Sequence, residues 1–305
     1  MSITHTIDMY RLVRLSVCML SCALFCFPLQ IRGQSFKKSD LFSYSNFGGD
    51  AAPSKDLLSV LERQARWDDA AGVFNPSGLH LRFVKIDEQP AQTASAAARY
   101  RIFAEGAPEN KVYAFDTWTI DKPISADPRN IYVNGQGLLM IHRPKPEQET
   151  ISAAGADEFD VQLTTIVAEP VRFVLSSMDG QLKVFGTLVP QPVMQDDQGC
   201  RLEARIAQPN TTAVLIVADG FPAKEKVPLV LQSEGGTLSE TLMTDADGHA
   251  TIGVFPYLKG MTHGVLKASA EGPNCLPFVV LPWGAAALAA PAVPTAPAAP
   301  SAPQH

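Results

Sequence analysis

Histidine and cysteine are scarce in this chain, and neither falls at a ligand spacing. The sequence holds 6 histidines and 5 cysteines, with no His-Glu-x-x-His and no Cys-x-x-Cys. That excludes a zinc centre of closely spaced ligands. A G-x-S-x-G elbow is missing, and so are the glycine loops that cradle nucleotides. Basic runs are missing too. The densest is the pair Lys37 and Lys38, in a chain of formal net charge -6. Binding a phosphate backbone needs a basic stripe, so no nucleic-acid partner is expected. No residue set implies a cofactor. What the chain does have is apolar residues at 46% over 305 positions, enough to build about two domains with proper cores.

The N-terminus reads as a signal peptide over 1–33. Arg11 and Arg14 supply its positive start, and Leu15 to Leu29 is apolar and uncharged. About 15 apolar residues suit an export signal and are short for a membrane span. Two alternatives stay open: an uncleaved single-span anchor, and lipidation at Cys22. Membrane contact is expected only through this segment, if uncleaved. Cysteine usage agrees with export. Cys18, Cys22 and Cys26 lie in the leader, leaving Cys200 and Cys275. In an oxidising compartment those two are expected to form one disulfide, and the setting is extracytoplasmic: periplasm, cell surface or medium.

Residues 34–78 read as a tether followed by a helix. Ser54 can cap the helix, and Leu57, Leu58, Leu61 and Ala65 recur at helical spacing up to Ala70. From Leu79 onward the period changes to two, with Leu79-His80-Leu81-Arg82-Phe83 as the first alternating run. Short extended runs then follow one another with turn signals between them and no helical pattern. The fold class expected is all-β: two tandem immunoglobulin-like β-sandwich domains with a short N-terminal helix. The first sandwich is placed at 79–190, a linker at 191–199, the second sandwich at 200–283, and a disordered Ala/Pro-rich tail at 284–305.

The two halves look like a divergent repeat. Ala104-Glu105-Gly106-Ala107-Pro108 matches Ala218-Asp219-Gly220-Phe221-Pro222, and Asn134-Gly135-Gln136-Gly137 matches Asp245-Ala246-Asp247-Gly248. Each match stands just before an extended run. The first copy carries an extra polar stretch near Arg143 to Asp157.

The most specific local motif is Thr244-Asp245-Ala246-Asp247-Gly248-His249-Ala250-Thr251, followed later by Gly264-Val265-Leu266-Lys267-Ala268-Ser269-Ala270. Over residues 222–281 this resembles the bacterial immunoglobulin-like domains of invasin- and intimin-type surface proteins. The resemblance implies a sandwich fold and an extracytoplasmic setting, not a ligand. The Cys200 and Cys275 pair is not part of that pattern.

Several side chains are candidates for contact. Trp118, Phe255, Tyr257 and Trp283 could form a stacking platform for a sugar, with Trp118, Tyr257 and Trp283 as the ligand contacts. Asp245 and Asp247 are a calcium candidate, since carboxylates two apart can share a hard cation. Asn210-Thr211-Thr212 is a glycosylation-type triplet. The function expected is an exported, non-enzymatic protein that works by surface contact or scaffolding in the cell envelope, its partner an envelope protein or a glycan. A carbohydrate-binding module is the first alternative. An enzyme of unknown reaction using Glu62, His80 or Asp116 is the second.

Overall fold

The structure, a computed structural model, describes residues 43–48, 53–73, 75–89, 95–122, 124–126, 130–141 and 157–289. The expected signal peptide, residues 34–42 of the tether, most of the polar stretch after His142, and the tail past 289 lie outside them. The first elements in chain order are β1 (Ser43–Asn46), α1 (Lys55–Val73), β2 (His80–Gln89), β3 (Ser95–Glu105) and β4 (Tyr113–Trp118). Next come β5 (Ser125–Ala126), β6 (Ile131–Val133), β7 (Leu139–Ile141), β8 (Asp157–Glu158), β9 (Asp160–Ile166), β10 (Val171–Ser177) and β11 (Lys183–Leu188). Then follow β12 (Val193–Asp197), β13 (Cys200–Ile206), β14 (Val214–Asp219), β15 (Lys226–Ser233) and β16 (Gly236–Met243). The last are β17 (Ala250–Phe255), β18 (His263–Ala270), β19 (Phe278–Gly284) and α2 (Ala285–Ala289). The chain is mostly β, as its alternating pattern predicts.

Each half holds two sheets over one core. In the first half a sheet ordered β2-β3-β9 stands beside one that runs β11-β10-β4-β6-β7-β8, with β5 paired to β4. In the second half β13-β14-β17 faces β16-β15-β18-β19. Alternation sets which side chains meet. On β15, Val227, Leu229 and Leu231 point inward while Pro228 and Val230 face out. On β13 and β14, Leu202, Ala204, Val214 and Ile216 point inward from the opposite sheet into the same cluster. The first half repeats this with Ile102, Phe115, Phe173 and Val184.

The repeat seen in sequence reaches the level of single atoms. Gly106 and Gly220 both adopt positive φ, at 78° and 73°. A Cβ on Gly106 would lie 2.3 Å from the Gly78 carbonyl oxygen, and one on Gly220 would lie 2.1 Å from that of Gly199. Only glycine fits where two turns touch at the same place in each half. The paired hairpin tips agree as well. Asn134 Oδ1 accepts the amides of Gln136 and Leu138, at 2.9 and 3.0 Å. Asp245 Oδ1 accepts those of Asp247 and His249, both at 2.9 Å.

Three sequence boundaries need correction. Residues 191–199 are not a linker, because β12 pairs antiparallel with β13 from Val193↔Ala204 to Asp197↔Cys200. Its polar composition is that of an edge strand. Gln195 and Asp197 accept the backbone amides of Phe278 and Leu276, each at 2.7 Å, so their side chains tie β12 to the start of β19. The tether also contains structure. β1 adds in parallel to β17, from Ser43↔Ile252 to Asn46↔Phe255. The Phe47 ring then enters the second core. Finally, β19 runs through Gly284 and α2 follows it, so ordered chain continues past 283. Cys200 and Cys275 stand at disulfide distance with Cα atoms 6.2 Å apart, as expected.

Helix α1 positions the site. Ser54 caps it: the Leu57 amide donates to Ser54 Oγ at 3.2 Å. Leu61 and Ala65 are buried against Ala213, Leu215 and Phe255 on the outer face of the second half's first sheet. Gln64 and Asp68 share that face of the helix, at three and seven residues past Leu61. Toward its C-terminus α1 reaches the first half, where Trp67 meets Phe185 of β11. The halves also touch directly: Ile120, Ile166 and Val167 pack against the second core, and the Ile206 amide donates to the Ala168 carbonyl at 2.8 Å.

Candidate functional site

Beneath α1 lies a buried charge cluster that draws on both halves. Arg172 projects from β10, Arg205 from β13 and Asp68 from the helix. Arg172 Nε and Nη2 each donate to the Asp68 carboxylate at 2.9 Å, a two-pronged pairing. Arg205 Nη1 reaches the same carboxylate at 3.0 Å, and Thr187 Oγ1 donates to it at 2.7 Å. Glu203 takes the other arm of Arg205 at 2.7 Å. The Arg172 side chain is fully buried and that of Asp68 is 5% exposed. Burial alone would raise the Asp68 carboxyl. The charges of Arg172 and Arg205, with the hydrogen bonds from Arg172 and Thr187, outweigh it and hold the group below the ordinary carboxylate range. One anion from the helix thus joins a cation of the first half to a cation of the second.

Above this cluster the surface opens into a groove of about 820 Å³ between α1 and the residues Ile120, Asp121, Lys122 and Ile124. That is the size of a small-molecule or short-peptide site. Its floor is aromatic. The Trp67 ring stands edge-on to Trp118 at 5.4 Å and to Phe185 at 5.2 Å. The Arg172 guanidinium lies 5.3 Å from the Trp118 ring centroid, so Trp118 links the groove to the buried cluster. Ile120 and Ile124 continue the apolar wall, and Arg63 and Lys122 line it with positive charge. Two wall residues carry buried polar atoms without a hydrogen-bond partner: Gln64 Oε1 and Trp67 Nε1.

The sequence candidates fall in different places. Trp118 is in the groove. Tyr257 is exposed just past the end of β17, and its ring is 6.4 Å from that of Trp283. Trp283 is not a contact surface. It occupies an inward position of β19 with Val279 and Leu281, and it is fully buried. Its indole N–H donates to Ser233 Oγ at 3.0 Å, which satisfies its one polar group in the core. Phe255 is buried under α1. The expected platform is therefore split, and Trp67 is the residue that joins Trp118 instead.

The remaining candidates are held by local partners. Asp245 caps its own hairpin, and among the described residues no group of three or more His, Cys, Asp or Glu side chains could hold a metal. Glu62 pairs with Arg66 along α1, at 2.6 Å. His80 pairs with Glu105 at 2.8 Å, and Asp116 sits half-buried on β4 opposite Val174. Asn210 is exposed in its turn, where its Oδ1 accepts the Thr212 hydroxyl at 2.7 Å.

A second exposed surface is the outer face of the β16-β15-β18-β19 sheet, where Val230, Val265, Phe278 and Val280 all meet solvent.

Sequence reasoning missed Asp68, Trp67, Arg172 and Arg205. Two signals pointed to them. Asp68 falls on the apolar stripe of an amphipathic helix, and Arg172 interrupts the apolar run Val171-Arg172-Phe173-Val174-Leu175. No family model matches the chain, and no curated protein matches it.

Proposed function

We propose that this is an exported, non-enzymatic protein of two tandem immunoglobulin-like sandwiches that acts by surface contact in the cell envelope. The fold part of the reading is supported by strand order. Three antiparallel strands, the sheet β2-β3-β9 or the central β13-β14-β17 of a five-stranded sheet, accompany a sheet containing four strands in sequence, β11-β10-β4-β6 or β19-β18-β15-β16. That is the layered antiparallel arrangement of immunoglobulin-like domains. The setting is supported by the apolar leader and by the Cys200 and Cys275 pair at disulfide distance.

The observation that carries the contact reading is the groove. The chain has 3 tryptophans, and two of them stand half-buried in one open surface feature rather than in a core. Photocrosslinking in the host envelope tests it. A benzophenone side chain at Ile124 or at Val280 is expected to give a discrete adduct of reproducible mass. Absence of any adduct from both positions, with the protein correctly exported, overturns the reading.

The glycan alternative keeps Trp118 and Tyr257 and loses Trp283. It predicts retention on an envelope polysaccharide gel that Trp118→Ala abolishes with the fold intact.

A further inference from the structure

We propose that the groove between α1 and the residues Ile120 to Lys122 takes an extended acidic peptide segment bearing one apolar side chain. The inference rests on the contact reading above and names the partner's chemistry. Its apolar residue sits on Trp67 and Trp118, and its carboxylates meet Arg63 and Lys122.

Charge complementarity is the first argument. Three cations, Arg63, Arg66 and Lys122, line the groove with one anion, Asp121, in a chain whose net charge is -6. Arg66 is held by Glu62, and the Asp121 carboxylate accepts the Thr119 hydroxyl at 2.7 Å. Arg63 and Lys122 make no ion pair with any described residue; Arg63 Nε donates only to the Ser59 carbonyl, at 3.4 Å. Two cations at an apolar groove, neither in an ion pair with a described residue, attract an anion.

Shape and hydrogen bonding select a peptide among anions. An aromatic floor wants an apolar group, which a free phosphate does not have. A concave slot of this volume does not match the flat surface of a bilayer. Gln64 Oε1 is an unmatched acceptor and Trp67 Nε1 an unmatched donor, three residues apart on the groove's helical wall. One residue of an extended segment presents its N–H and C=O on the same edge, the complement of both. Both atoms are closed to solvent, so side chains at the groove, Trp67 among them, must shift for a peptide to reach them. That motion gives the test its signal.

The test is a fluorescence titration of the full mature chain, since Trp67 and Trp118 report from the groove and Trp283 from the core. The probes are three blocked hexapeptides with a Phe-Leu centre flanked by Glu, Gln or Lys, together with the chain's own Pro-rich sequence 291–303. The Glu peptide is expected to bind about three- to tenfold more tightly than the Gln peptide at low salt, the worth of two exposed ion pairs. That margin should vanish at high ionic strength. Arg63→Glu with Lys122→Glu, both at exposed positions, should reverse the order so that the Lys peptide binds best.

Equal binding of all three peptides, no binding of the Glu peptide, or an order unchanged by the double reversal overturns the proposal. Preference for the Pro-rich peptide also overturns it and gives the groove to a neutral extended segment. If the peptides fail while the Ile124 crosslinker still captures an envelope protein, the contact reading survives and this one does not.

Discussion

The two halves of the molecule share a strand order and are closed by different devices. The second half has its own set of fasteners from three places: β1 covers the edge of β17, Phe47 plugs the core, and Cys200 of β13 meets Cys275 of the β18–β19 loop. The first half has none of these among its described residues. Several of its strands are short, β5 and β8 being only two residues each. In their place it borrows α1, which sets Trp67 on Phe185 and Asp68 on Arg172 and Thr187. Two halves with the same strand order need not share their stabilising contacts. The segment in front of them serves both halves, by strand pairing in the second and by a helix that packs on the second and reaches into the first.

Removing Asp68 is the largest expected break in that comparison. Asp68→Ala leaves the fully buried Arg172 guanidinium without its anion, while Arg205 keeps Glu203. Loss of one partner from a buried pair costs about 3–5 kcal/mol. Hydrogen exchange should show the amides of β10 and β11 loosening before those of β15 and β18. Equal loosening in both halves would mean that α1 is not the first half's particular fastener. The pH dependence has a definite sign. Because the folded carboxyl titrates below its ordinary value, the stabilisation is complete above about pH 4 and is lost as the pH falls through the lower folded value. The stability gap between wild type and Asp68→Ala should therefore hold steady through neutral pH and narrow only in acid.

Opening the disulfide is the matching break in the second half. The bridge spans 75 residues of sequence, and a loop of that length is worth about 4 kcal/mol by constraint of the unfolded chain. Cys200→Ser with Cys275→Ser should lower the unfolding free energy from a denaturant titration by that amount. Exchange should quicken first in β13 and in the 271–277 segment before β19. If the first half loosens as much, the shared packing of Ile120, Ile166 and Ala168 couples the halves into a single unit. Peptide mapping of exported protein without reductant should recover the bonded pair.

Much of this frame was legible from residues alone. The strand runs from Arg201 to Leu281 and the helix from Ser54 are governed by local alternation and capping, which a sequence displays directly. β12 was not legible, because an edge strand is defended by the same Asp, Gln and Pro residues that mark linkers. β1 was hidden for a different reason: a parallel edge strand of four residues depends on β17, some two hundred positions away. Trp283 and Trp118 were indistinguishable by type. Strand phase separates them, since Trp283 continues the inward series of Val279 and Leu281, while Trp118 ends β4 beside a helix whose docking only long-range contacts decide. The charge cluster needed four distant elements at once, and only its oddities showed: an acid on an apolar helix stripe and an arginine in an apolar strand.

The smallest expected effect sharpens the likeness rather than the difference. Asn134 and Asp245 occupy equivalent hairpin tips, and each accepts two backbone amides through one side-chain oxygen. Asn134→Ala and Asp245→Ala should each cost about 1 kcal/mol, with Asp245 the larger because a charged acceptor binds more strongly. The informative variant is Asp245→Asn, which installs the first half's residue in the second half's turn. It keeps the acceptor and should recover most of the loss in a denaturant titration. A cost as large as that of Asp245→Ala would show that the turn needs the charge itself. It would also reopen Asp245 and Asp247 as a cation site, to be checked by adding calcium to the wild-type chain. Recovery by asparagine instead places both tips under one rule, in which a short side chain accepts the amides two and four residues on and a glycine at the third position lets the chain reverse.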